Sequence, residues 1–463
     1  MKYFENRVEE LNIAYIGGGS RGWAWGLMSD LAAEESLCGT VKLYDIDFNA
    51  ALNNEKIGNR LSERTDAKSH WRYKAVENIA DALNEADFVV ISIMPGTFDE
   101  MESDVHAPEE YGIYQSVGDT TGPGGLVRAL RTIPMYAEIA ENIKRHCPEA
   151  WVISYTNPMT LCVRTLYEVF PKIKAFGCCH EVFGTQKLLA MAVSEILGIQ
   201  EPHRREISVN VLGINHFTWL DRAFYNDVDI FPIYAKFAEK YYETGFAEKN
   251  NENWMNKYFS SLQRVKFDLF KRYGIIAAAG DRHLAEFCPG KWYLKDPQTV
   301  HEWGFELTPV KWRKEDLKNR LERSRKLSSG GEDFVLKETG EEGVAQIKAL
   351  LGLGDLFTNV NIPNAGQIKN IPLGAVVETN ALFSRGRITP AMAGELPWDV
   401  HNLVIRHVYN QETVLKAALF KDKNLAFRAF ANDPLVTASL DDSRKLLDKM
   451  LSATKKYLPG WEI

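Results

Sequence analysis

Residues 12–31, NIAYIGGGSRGWAWGLMSDL, decide the architecture. Asn12–Ile16 is a short β-rich run that ends in glycines, and Ala24, Leu27, Met28 and Leu31 then recur at helical spacing. Between the two stand Gly17, Gly19 and Gly22, a G-x-G-x-x-G pattern directly after a predicted strand and opening a predicted helix. That placement matters more than the pattern itself. The turn needs positive φ, the backbone must approach a pyrophosphate, and the helix N-terminus offers free N–H groups to an anion. Gly17, Gly19, Ser20 and Gly22 are therefore the expected dinucleotide contacts. Asp45 ends the next β-like run, Val41–Tyr44. An acid there accepts hydrogen bonds from an adenosine ribose and repels a 2′-phosphate, which favours NAD over NADP. Asp47 competes for the same role.

Outward from this stretch, strand-like and helix-like segments alternate. Ala80–Ala86 reads as helix, Phe88–Ile93 as a continuous apolar strand, Arg131–Lys144 as helix and Trp151–Tyr155 as strand. Such alternation predicts an α/β, Rossmann-type parallel sheet covered on both faces, with functional residues at the carboxyl ends of its strands. After about residue 200 the character changes. Ile207–Ile214 and Ala375–Thr379 read as strands, and Ser328–Asp333 as a Ser/Gly loop. Helix is expected over Tyr234–Lys249, Asn253–Tyr273, Glu412–Phe420 and Leu440–Lys456. We expect a dinucleotide-binding domain over 1–200 and an α+β, helix-rich domain over 201–463.

Composition excludes several classes. With 463 residues, 45% apolar and 25% charged, the chain has the balance of a globular protein rather than a disordered or repetitive one. Its formal charge of −7 argues against a nucleic-acid partner. The longest apolar run, Phe88 to Met94, is too short to span a bilayer, and no signal peptide is visible in MKYFENRVEELN. Six cysteines are too few for a disulfide scaffold. The expectation is a cytoplasmic protein with no membrane partner.

Two further segments carry chemistry. Gly177-Cys178-Cys179-His180-Glu181-Val182 follows one apolar run, and Gly213-Ile214-Asn215-His216-Phe217-Thr218-Trp219 follows another. A thiolate and an imidazole from two strand ends could share one divalent metal and leave positions open for a substrate, as a catalytic site requires. A small buried cysteine and a structural histidine are the alternative reading. Taken with TTGPGGLVRALRTIP at 120–134, TNP at 156–158, NIPNAGQIKNIP at 361–372, VVETNALFSRGRITP at 376–390 and GELPWD at 394–399, these segments give the chain its identity. It resembles glycoside hydrolase family 4, the NAD- and divalent-metal-dependent glycosidases that are exceptions to the two-carboxylate mechanism. The Cys-His-Glu-Val form is similar to that of the α-galacturonidase subgroup.

The resemblance implies that Cys179 and His216 bind manganese, that Asn157 contacts substrate hydroxyls, and that the assembly is a homodimer or homotetramer. It also implies a route for an α-galacturonide. The nicotinamide takes hydride from C3, a base removes the acidified C2 proton, the leaving group departs from C1, water adds, and hydride returns. Asp281, in Gly280-Asp281-Arg282-His283, looks like the base, with Tyr258 and Tyr273 next. His180 is expected to contact substrate and aid proton transfer, and Glu181 to orient a neighbour. The uronate carboxylate calls for an arginine. Arg282 is the first choice, ahead of Arg128, Arg131 and Arg385, while the glycines at 122–125 should form tight turns near the nicotinamide. Cys178 is expected in the core. The alternatives are a family-4 α-glucosidase, α-galactosidase or α-glucuronidase, a net NAD-dependent sugar-acid dehydrogenase, and a non-catalytic NAD sensor.

Overall fold

A computed structural model describes residues 1–247 and 257–463. Six parallel strands form the expected sheet: β1 (Val8–Ile16), β2 (Leu37–Tyr44), β3 (Trp71–Val76), β4 (Phe88–Ile91), β5 (Trp151–Ser154) and β6 (Lys174–Gly177). Their spatial order is β3-β2-β1-β4-β5-β6, the doubly wound order whose reversal beside the first strand opens a ligand crevice. Alternate residues of β1 serve different cores. Ile13 and Tyr15 pack with Trp25, Met28 and Leu31 of helix α1 (Trp23–Ala33), whereas Ala14 and Ile16 pack with Val89, Ile91, Tyr136 and Ile139. Both faces are covered, which is why Phe88–Ile91 is apolar at every position instead of alternating.

The second part of the chain builds a smaller antiparallel sheet from β7 (Ile207–Ile214), β8 (Phe217–Tyr225) and β9 (Ile276–Ala277). Later it returns to the first sheet. Strands β10 (Leu356–Pro363), β11 (Val376–Ser384) and β12 (Arg387–Pro390) add antiparallel to its edge, with Asn361 opposite Gly177 of β6. The first sheet is thus shared by both ends of the sequence.

Several helices differ in extent from the sequence reading. Helix α2 (Phe48–Ser62) follows β2, and α3 runs Gly122–His146 rather than starting at Arg131. The glycines at 122–125 are not a loop but its first turn, with Pro123 where a helix tolerates proline. A Cβ on Gly125 would stand 2.5 Å from the carbonyl carbon of Thr120, so glycine lets the helix start pack on the preceding segment. Helix α4 spans Glu181–Leu197. The helix expected over Tyr234–Lys249 runs Phe231–Tyr241. That expected over Asn253–Tyr273 is a single turn at Lys257–Phe259 followed by α5 (Arg264–Tyr273), because Gln263 at φ 61 breaks the run. Residues 248, 249 and 253–256 of those expectations lie outside the described residues. Helices α6 (Asp281–Phe287) and α7 (Val310–Ser329) follow. No helix of the described residues is long and apolar enough to cross a membrane.

Arg131 of α3 is fully buried. Its guanidinium grips both oxygens of Asp104, and its Nε donates to the Pro95 carbonyl at 2.8 Å. The arginine is therefore a strut of the sheet-covering layer and is not free to bind substrate. Asp104→Asn leaves a buried cation without its counter-charge and should lower unfolding free energy by about 3–5 kcal/mol in urea titrations. The double change Asp104→Leu with Arg131→Met should cost much less, and an equal loss in both would show that shape rather than charge dominates there.

Candidate active site

The glycine loop lies where β1 enters α1. Gly17 has φ 91, and a Cβ there would sit 2.1 Å from the Ser92 carbonyl oxygen. A Cβ on Gly19 would sit 2.6 Å from that of Ala50. Ser20 closes the turn by donating its N–H to the Gly17 carbonyl, and Gly22 begins α1 with no side-chain cap, leaving N–H groups for a ligand. Asp45 accepts the Gly19 N–H at 2.9 Å, and burial pushes its carboxyl up. Asp47, its competitor, caps α2 through the Ala50 N–H at 3.1 Å instead. Arg21 lies in the loop with a buried Nε that has no partner. The sequence reading missed Asn54, whose side chain donates to the Gly18 and Ser20 carbonyls and pins the loop.

A second cluster forms where the strand ends of both sheets meet. Asp119, His216 and His283 bring one ligand atom each within 4.8 Å of one another, a set able to hold a metal ion. His216 sits in the β7–β8 turn at φ 64, in the left-handed region that few non-glycine residues adopt, and its Nδ1 is 3.0 Å from Thr120 Oγ1. The rings of His216 and His283 are 3.8 Å apart. Glu181, at the start of α4, accepts the Gly280 N–H at 2.7 Å and stands 3.9 Å from both His180 Nε2 and His283 Nε2.

Electrostatics makes this a group of ionised acids and neutral imidazoles. Burial and the neighbouring His283 push His216 down to about 3, and burial pushes His283 down as well. Burial opposes ionisation of Asp119, but Arg128, His283 and His216 outweigh it and hold the carboxyl at about 2. Glu181 is likewise held at about 2, against burial, by His283, His180 and His216. Glu286 accepts the Val117 and Gly118 N–H groups at 2.8 and 2.9 Å and so positions the segment bearing Asp119. Burial pushes Glu286 up to about 8.

The remaining expected residues fall into two sets. Cys179, His180 and Asn157 border the cluster. The Cys179 thiol packs against the Asn215 side chain and the Glu181 N–H, while burial and the charges of Glu378 and Glu181 push it up. It is not part of the compact triad. The His180 Nδ1 is 2.7 Å from Glu341 Oε1. Burial works against its charge, yet Glu341 and Glu181 raise it to about 9. Asn157 gives its carbonyl to Arg128 Nε at 3.0 Å, and its shielded Oδ1 has no partner.

Asp281 and Arg282 have their polar atoms engaged outside the triad. Asp281 is fully buried, and its oxygens accept the Val265 and Lys266 N–H groups at 3.3 and 3.1 Å, so it caps α5 rather than facing a sugar. Arg282 donates to the Ser116 and Glu306 carbonyls and to Thr308, tying two segments together. One helical residue turns 100°, so His283, two positions beyond Asp281, projects to the other side of α6 and into the cluster. Neither His283 nor Asp119 carries a spacing signal that marks it in the sequence. Cys178 is core, as expected.

The family 4 glycosyl hydrolase model matches residues 12–195, and the model of that family's C-terminal domain matches 211–436. The chain belongs to glycosyl hydrolase family 4. Among family members, the α-galacturonidase of Thermoanaerobacterium saccharolyticum is 69% identical over 463 residues, covering 100% of both chains. The crystal structure of a Bacillus subtilis protein described as a glucosidase, 54% identical, superposes with a TM-score of 0.91 over 96% of this chain and 100% of that one. The Thermotoga maritima 6-phospho-β-glucosidase, solved with manganese, NAD+ and glucose 6-phosphate, shares the fold at 19% identity, with a TM-score of 0.75 over 97% and 99% of the two chains.

The candidate site thus separates from its supports. Asp281→Ala should lower stability by about 1–3 kcal/mol, the scale of lost hydrogen bonds to a charged group, while kcat of the folded enzyme stays within a few-fold. Thermal unfolding together with kcat measures both. A hundredfold fall in kcat at unchanged stability would return the base role to Asp281.

Proposed function

We propose that this family-4 enzyme is an α-galacturonidase that uses NAD and a divalent cation, manganese by analogy with relatives. The single observation that carries this reading is the full-length 69% identity to an enzyme of that name. The residues present fit both groups. The glycine loop, the uncapped start of α1, Asp45 and the unpartnered Arg21 Nε suit a dinucleotide. The donors around His216 are a thiol, a carboxylate and imidazoles, suited to a divalent metal. His216 and Asp119 of the triad would hold the cation, with Cys179, which borders the triad, as the third donor in place of His283. When bound, the nicotinamide exchanges a hydride with the sugar and the cation polarises sugar oxygens.

The chain's own residues supply the rest. The unpartnered Asn157 Oδ1 accepts a sugar hydroxyl. His180, protonated near neutrality and anchored by Glu341, offers its Nε2–H toward the leaving oxygen. His283 replaces Asp281 as acceptor of the C2 proton, because it is neutral and its shielded Nδ1 has no partner. Residues 1–200 carry the dinucleotide in this reading, and 201–463 bring His216 and His283 to it. The reading also includes the cytoplasm as its location. It includes a homodimer or homotetramer that would cover the exposed Leu373, Trp398 and Tyr409.

Two experiments test this. A panel of nitrophenyl α-glycosides with NAD, Mn²⁺ and reductant should show galacturonide preferred over galactoside, glucoside and glucuronide, with no net NADH. Stoichiometric NADH would instead indicate a dehydrogenase. Second, His283→Ala should slow solvent-deuterium incorporation at C2 by at least about a hundredfold while Mn²⁺ affinity, read by electron paramagnetic resonance, changes little. A collapse of metal affinity would make His283 a ligand, and unchanged exchange would pass the base role to Tyr258.

A further inference from the structure

A threonine hydroxyl has a single proton to give and two lone pairs to accept with. Thr120 places its hydroxyl between two members of the triad. Its Oγ1 is 2.7 Å from Asp119 Oδ1 and 3.0 Å from His216 Nδ1. Thr120 and His216 are both buried.

The direction of each bond follows from valence. An ionised carboxylate carries no proton and can only accept, and Asp119 is ionised. The hydroxyl proton therefore goes to Asp119, because turning it toward the imidazole would press two oxygen lone pairs together at 2.7 Å. The hydroxyl is left to accept, so His216 Nδ1 carries the proton that it accepts. A neutral imidazole holds one N–H, and Nε2 keeps its lone pair. The other tautomer would spend its Nδ1 lone pair on Thr120 and bear its proton on Nε2, leaving neither nitrogen for a cation.

The backbone that carries Thr120 is held on both sides. Glu286 accepts the Val117 and Gly118 N–H groups, and Asp433 accepts the Gly122 N–H at 3.1 Å. The neighbouring pair makes the opposite choice. His407 Nε2 is 2.8 Å from the Phe287 carbonyl, which can only accept, and burial keeps this histidine neutral. Its proton thus lies on Nε2, and its Nδ1 accepts from Thr121 Oγ1 at 3.3 Å. Adjacent threonines face opposite tautomers in two buried histidines.

We propose that Thr120 is a positioning residue that locks His216 in its Nδ1–H tautomer and orients Asp119, so that one donor atom of each is preset for the cation. This rests on the divalent-cation reading.

The full-length protein, labelled with ¹⁵N in its histidine rings, reports tautomers through ring proton–nitrogen correlations. His216→Gln and His407→Gln identify the two signals by their loss. Before Mn²⁺ is added, at neutral pH, His216 should show the Nδ1–H pattern and His407 the Nε2–H pattern. Thr120→Val keeps the side-chain shape and removes the hydroxyl. It should abolish the pure Nδ1–H pattern of His216 and weaken Mn²⁺ binding, read by electron paramagnetic resonance, by about ten- to a hundredfold, with circular dichroism and NAD affinity unchanged. Thr120→Ser should restore both the pattern and the affinity. A wild type that binds Mn²⁺ but shows His216 as the Nε2–H form would overturn the lock alone. So would an unchanged tautomer in Thr120→Val, or a serine variant no better than valine. A wild type without affinity for Mn²⁺ would overturn the divalent-cation reading and this role with it.

Discussion

Two carboxylates, Asp119 and Glu181, stay ionised in a mostly enclosed site, and the arrangement around them follows from that requirement. An isolated carboxylate withdrawn from water costs several kcal/mol unless charges or N–H groups compensate it. Here the compensation comes from the Arg128 guanidinium for Asp119, and from protonated His180 and the Gly280 N–H for Glu181. No single stretch of chain could supply all of it. The site therefore forms only where α3, α4, the β7–β8 turn and the start of α6 converge, at the carboxyl ends of the sheet strands.

This convergence explains which parts of the molecule were legible beforehand. The parallel sheet was readable because continuous apolar runs and a glycine turn report local constraints. Gly17 and Gly19 had to be glycine for reasons of space, and Asp45 follows from the strand that precedes it. Cys179 and His216 were singled out because they stand beside apolar runs and in family-like motifs, and of the two only His216 lies in the compact triad. Asp119 and His283 were not, because their importance is set by contacts across more than sixty residues of chain. Asp281 misled for a related reason. A carboxylate beside a histidine looks catalytic in one dimension, yet the helical rotation between them sends one into a cap and the other into the site. Arg282 shows the same confusion between proximity in sequence and direction in space. The GPGG segment was misread because glycine for close packing and glycine for a turn look alike in sequence.

The edge strands β10 and β11 were the least legible feature, since nothing in residues 356–390 announces a return to the first sheet. Their contribution lies beneath the cluster. Glu378 of β11 is fully buried, and burial pushes it up to about 7. It accepts from Asn359 of β10 at 2.6 Å and from Asn215 at 3.3 Å, while Asn359 also donates to the Cys179 carbonyl at 3.2 Å. One carboxyl thereby joins the end of β6, the turn that carries His216, and the sheet extension. The spacing between Cys179 and His216 is consequently set by a strand that arrives far later in the chain than either, and a shift of that strand would reach both at once. The sheet extension is thus a part of the active site's frame, and the two halves of the chain share one structural purpose rather than acting as a carrier and a lid.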